Sequence, residues 1–162
     1  MSTTKANIII GIDPDIEKNG VALVNRVTRE VELYNMTFCE LIDWLEVEVP
    51  QNKVHIVVEA GWLNESVWHI KGMGINRAAS VGKAVGRNHQ TGINIADMAE
   101  HMGFDVVRRK PLRKCWKGHD GKITHAEIAY FTGIKQRTNQ ETRDALLLAW
   151  VEANLPIKVK VR

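Results

Sequence analysis

The first apolar run of the chain, Ile8-Ile9-Ile10-Gly11-Ile12, is β-branched and ends at Asp13-Pro14, which reads as a buried strand stopped by a proline. Two more strand-like runs follow, Gly20 to Asn25 and Glu30 to Met36, with short polar turns between them. Such turns permit antiparallel pairing, so the chain is expected to open as a three-stranded meander. Thr37 is placed to cap an amphipathic helix through Leu41, Ile42 and Leu45. Val54 to Val58 is then a fully apolar strand ending at Glu59, and a strand after a helix suggests parallel addition. From Ile75 to Met102 the apolar positions Ala78, Val81, Ala84, Val85, Ile93, Ile95, Ala96 and Ala99 recur at helical spacing, with Gly103 as the C-terminal cap. Phe104 to Val107 is expected as a short last strand. Thr124-x-x-Glu127 and Thr138-x-x-Glu141 match the capping-box pattern and predict two closing helices, the second through Ala145, Leu148 and Ala149. The order βββ-α-β-α-β-α-α predicts an α/β sheet with antiparallel and parallel parts, covered by helices on its faces.

Composition narrows the setting more than the fold. The chain has 162 residues, 44% of them hydrophobic and 25% charged, without repeats or low-complexity tracts, which suits a single domain over 1–162. Cys39 and Cys115 lie far apart and form no CxxC pair, so neither zinc nor a disulfide framework is suggested. No signal-peptide anatomy or membrane-length apolar run is visible, and the expected setting is a reducing cytoplasm, of a bacterial cell or a virus-infected host. The net charge of +3 and pI near 8.9 allow a polyanionic partner without requiring one. Distribution is more telling. Arg108, Arg109, Lys110, Arg113, Lys114, Lys117 and Lys122 stand in one stretch against a single acid, Asp120.

Three acids sit at element ends: Asp13 where the first strand stops, Glu59 where the fourth stops, and Asp144 in the first turns of the last helix. Carboxylates at neighbouring strand tips can supply the hard oxygen ligands that hold two Mg²⁺ ions about 3.5–4 Å apart for phosphodiester hydrolysis. Glu141 precedes Asp144 by three residues and would face the same way on a helix. It reads equally as the third-position acid of a capping box. Each of the other acids also has a plainer reading, a turn acid at Asp13 and a helix-dipole partner at Asp144. Glu59, closing an all-apolar strand, needs a partner or water.

Gly11-Ile12-Asp13-Pro14 with Gly20-Val21-Ala22, then Val57-Val58-Glu59, then Asp144-Ala145-Leu146 together resemble the ordered motifs of RuvC-like Holliday-junction resolvases, in the RNase H-like superfamily. Gly82-Lys83-Ala84-Val85-Gly86-Arg87 resembles the start of that family's long helix. The resemblance implies an RNase H-like mixed five-stranded sheet, three antiparallel strands then two parallel, with helices on both faces. It also implies a homodimer acting on four-way junctions or other branched DNA. Asp13, Glu59, Glu141 and Asp144 would be the catalytic metal ligands, for two Mg²⁺ ions with Mn²⁺ able to substitute. Two positions depart from the pattern: Asp15 stands where glycine is usual, and Glu141 where aspartate is usual. The family also places a lysine near the reacting phosphate, for which Lys122 and Lys117 are candidates.

The DNA-contact candidates are Trp62, Trp68 and Lys71 after Glu59, Lys83 and Arg87 in the long helix, and Arg108, Arg109, Lys110, Arg113, Lys114, Trp116 and Lys117. Aromatics among cations can stack opened bases while the cations contact phosphates. Trp44 and Trp150, at apolar helical spacing, read as core instead. Other functions use parts of the same pattern. An RNase H-type nuclease on RNA–DNA hybrid or structured RNA would need the same acids, and a non-catalytic junction-binding protein could keep the fold. A sugar-kinase or actin-like ATPase would share Gly11-Ile12-Asp13 with Gly20, but needs a second such domain that this length cannot hold.

Overall fold

A computed structural model describes residues 5–64 and 72–161. Five strands form one sheet: β1 (Ile8–Asp13), β2 (Asn19–Asn25), β3 (Val31–Met36), β4 (Val54–Glu59) and β5 (Asp105–Arg109). Their spatial order is β3-β2-β1-β4-β5. The meander pairs antiparallel, while β4 joins β1 and β5 joins β4 in parallel. The sheet expected from sequence is therefore present, with three antiparallel strands followed by two parallel ones.

Strand alternation divides the core in two. Ile9, Ala22, Val24 and Val57 face α3 (His125–Thr132) and α4 (Gln140–Glu152), with Leu146, Ala149 and Trp150 packed on them. Ile10, Ile12, Val21, Ile56 and Val58 face α1 (Phe38–Val47) and the second half of α2 (Ile75–His101). Gly103, just past α2, takes the positive φ of +97° that a helix-ending glycine allows. Only Gly92, Ile95, Ala96 and Ala99 of α2 are fully buried, so the stripe through Ala78, Val81 and Val85 stays outside both cores among the described residues. Among them, too, no helix is long and apolar enough to cross a membrane.

Two elements differ from the sequence reading. The last strand begins one residue later and runs on through Arg108 and Arg109, because those side chains find carboxylates on either face of the sheet. Arg108 forks onto Glu100 and Asp97 of α2, and Arg109 onto Glu152 of α4. The second capping box also moves by one residue. Asn139, not Thr138, caps α4 by accepting from the Thr142 backbone N–H, and Thr142 rather than Glu141 answers it. Asn is a stronger cap than Thr, and the Thr138 hydroxyl is engaged by His125 and Arg143.

Candidate active site

Gly11 and Gly20 determine how close α4 approaches the sheet. A side chain at Gly11 would collide with the Ala145 carbonyl oxygen, and one at Gly20 with the Glu141 carbonyl oxygen. With hydrogen in both places, the first turns of α4 lie on the ends of β1 and β2. Asp13, Glu59 and the α4 acids consequently share one end of the sheet and one face of it.

Asp13, Glu59, Glu141 and Asp144 line a single cavity of about 230 Å³, together with Asp15, Asn88, Arg113, Lys114, Trp116, Lys122 and Gln140. Burial pushes the Asp13 carboxyl well above the usual range, and the charges of Glu59, Asp144 and Glu141 add to that, against Lys122. Burial also raises Glu59, to about 7, with Asp144 reinforcing it and Lys114 and Lys122 opposing it. Asp144 is raised by burial, partly offset by the hydrogen bond from Gln140 and by Lys122 and Arg143. These are buried, mutually repelling carboxylates, which is the electrostatic condition under which a proton or a cation binds.

The donor set suits a hard divalent cation, since among the described residues no histidine or cysteine lines the cavity. Among the described residues, no three carboxylate, histidine or cysteine side chains are disposed to hold one ion as they stand. Glu141, at the second position of α4, serves no capping box, so the helix-cap account of it does not apply. Asp15 has its own employment, with its Oδ1 accepting from the Glu17 N–H at 2.8 Å.

The two candidate lysines separate. Lys122 lines the cavity and acts on all three perturbed acids. Lys117 does not line it, and its backbone N–H donates to Glu127, the acid that closes the α3 capping box. A compact loop holds Lys122 in place through bonds from Trp116 N–H to the Gly121 carbonyl and from Gly118 N–H to the Lys122 carbonyl, both 2.9 Å.

The DNA-contact candidates scatter. Trp116 forms part of the cavity wall, stacked on Phe131 with centroids 6.0 Å apart, and Phe131 packs on the buried Trp150. Trp62 packs into the core beside α1 and α2, where only a glycine at position 92 leaves it room, and its ring meets His89 edge-on. Lys83 and Arg87 lie four residues apart on an exposed face of α2. Lys110 and Arg113 are exposed. Arg108 and Arg109 are committed to ion pairs within the chain. Trp68 and Lys71 lie outside the described residues.

Sequence reasoning overlooked Gln140 and Asn88 and gave Lys114 only a DNA-contact role. Gln140 stands four residues before Asp144, one helical turn, so its spacing could have revealed it. Lys114 belongs to the basic stretch, but nothing in the sequence indicates that it faces Glu59. Asn88, whose Oδ1 accepts from the Ile16 N–H at 3.0 Å, is brought in from a remote helix.

No protein family and no curated protein matches the chain in sequence. Two solved structures resemble it along most of its length. One is T. thermophilus RuvC in complex with a Holliday junction substrate, 17% identical, with a TM-score of 0.49 over 90% of this chain and 92% of that one. The other is Thermus thermophilus RuvC, 17% identical, with a TM-score of 0.48 over 91% and 96%.

Proposed function

We propose that the chain is a divalent-metal-dependent endodeoxyribonuclease that hydrolyses phosphodiester bonds in branched DNA, four-way junctions first among them. The observation that carries this reading is the gathering of Asp13, Glu59, Asp144 and Glu141 in one cavity, with Lys114 and Lys122 among its lining. The cavity is smaller than the roughly 300–1,000 Å³ of pockets that enclose small ligands, which suits a polymer offering one phosphate at a time. The ordered motifs shared with RuvC-like resolvases, Asp13, Glu59 and Asp144 among them, favour junction DNA as the substrate. They also favour a homodimer as the active species.

Asp13, Glu59, Asp144 and Glu141 would hold Mg²⁺ or Mn²⁺, which when bound supplies an activated water and a counter-charge for the leaving oxygen. The chain's own groups do the rest. Lys122 and Lys114 offer fixed positive charge to the phosphate as its negative charge redistributes. Trp116 gives the cavity one apolar wall. Glu59, held near pH 7 in its titration, has to lose its proton before it can serve as a ligand.

The test is incubation with labelled four-way junction, flap, duplex and RNA–DNA hybrid, with and without Mg²⁺. Junction cleavage that requires Mg²⁺ is expected. Asp13→Asn and Asp144→Asn should each lose cleavage while still binding the junction. Full activity in either variant would remove the site from consideration. Preferential cutting of hybrid would favour the RNase H-type reading, and binding without cutting would favour a junction-binding protein.

A further inference from the structure

Gln140, the first residue of α4, lines the cavity beside Asp144 without being an acid. Its Nε2 donates to Asp144 Oδ1 at 2.7 Å and to the Ile123 carbonyl oxygen at 3.4 Å. Its Oε1 accepts from an Arg143 Nη at 3.0 Å. Arg143 Nε donates to the same Ile123 carbonyl at 3.0 Å, and its other Nη reaches Thr138 Oγ1 at 3.1 Å.

This closed set of bonds fixes which way the amide points. A guanidinium only donates, so it must face the amide oxygen, and the amide NH₂ is left to face the Asp144 carboxylate. Asp144 is thereby held through Oδ1, while no bond to its Oδ2 is formed by a described residue. The second oxygen stays available to a cation. A guanidinium on Asp144 itself would occupy the carboxylate with a fixed positive charge; through the amide, that charge stays one side chain away. The shared Ile123 carbonyl matters as well, because Ile123 directly follows Lys122 in the chain. The bonds therefore tie the lysine's backbone to the helix turn that carries Asp144.

The geometry points to Gln140, backed by Arg143, as a positioning residue that presents Asp144 to a divalent cation and sets Lys122 relative to it. The inference rests on the nuclease reading above and concerns how that site is held.

Gln140→Met keeps the side chain's length and helix propensity and removes both the donor and the acceptor. Three measurements on the full chain test it: the melting temperature in EDTA, Mn²⁺ affinity by titration calorimetry without DNA, and kcat and KM on a four-way junction. The expected result is a melting temperature close to wild type and a Mn²⁺ affinity weaker by about tenfold, the usual scale for losing a group that orients a ligand. A lowered kcat with unchanged KM should accompany it. Arg143→Met, which leaves the amide in place but lets it turn, should give a smaller loss of Mn²⁺ affinity and carries the test if Gln140→Met fails to fold. Wild-type affinity and kcat in Gln140→Met, or a lowered melting temperature alone, would overturn the positioning role and leave the nuclease reading standing. A wild-type chain that neither binds Mn²⁺ nor cuts DNA would overturn both.

Discussion

Glu59 shows most directly how the site's chemistry affects the stability of the chain. Its carboxyl titrates near 7 in the folded protein against about 4.5 when unfolded, because burial and Asp144 disfavour its charge. Between those two values the folded state binds more protons than the unfolded state. Stability is therefore greatest below pH 4.5 as far as this group is concerned, and it falls as the pH rises towards 7. At about 1.4 kcal/mol per pKa unit the loss is on the order of 3 kcal/mol, and raised Asp13 and Asp144 act in the same direction. Metal-free protein is expected to melt lower at pH 8 than at pH 5.5, and millimolar Mn²⁺ should remove most of that difference by binding only the native state. Thermal melts at the two pH values, with EDTA and with Mn²⁺, check this; a pH-independent melting temperature in EDTA would contradict it. The identity of these acids was legible in the sequence because each ends a strand or opens a helix. Their coupling was not, since it depends on how far α4 sinks onto the sheet.

At the scale of elements, that approach depends on Gly11 and Gly20. The sequence presents both as members of the resolvase-like motifs, and the room they leave for α4 emerges once that helix is seen lying across them. Gly20→Ala is expected to destabilise the chain by about 1–3 kcal/mol, the usual cost of overpacking, because the added methyl meets the rigid Glu141 backbone. It should also lower kcat by moving Glu141 and Asp144 away from Asp13. Urea unfolding and a cleavage assay would check the pair of effects, and wild-type values for both would show that α4 does not need the glycine. Helix and strand identities were readable from periodicity, but two boundaries were not. The chain near Arg108 looks like a basic loop until Asp97, Glu100 and Glu152 are seen beside it. The start of α4 offers Thr138 and Asn139 as rival caps, and local pattern alone does not choose between them.

At the scale of the whole molecule, the nuclease proposal turns on which cations remain to meet DNA. The net charge of +3 is too small to define a binding face, so under that proposal affinity would come from local placement. Arg113, Lys114 and Lys122 line the cavity, and Lys110 lies next to it in sequence and is exposed. Arg108 spends its guanidinium on Glu100 and Asp97. Two classes of substitution should consequently behave differently. Lys110→Ala with Arg113→Ala should weaken binding to every DNA substrate and shallow the dependence of log K on log salt, by roughly 0.9 for each duplex phosphate that the variant no longer neutralises. The melting temperature should barely change, because neither residue makes a salt bridge with a described residue. Arg108→Ala should do the reverse, leaving the salt slope at its wild-type value while lowering stability by roughly 1 kcal/mol at most, since its partners are well exposed. Titrations of four-way junction across a range of salt, paired with thermal melts, would separate the two classes. A shallower slope in Arg108→Ala, or an unchanged one in the Lys110 and Arg113 double variant, would mean that DNA meets the chain through the β5 edge rather than across the cavity mouth.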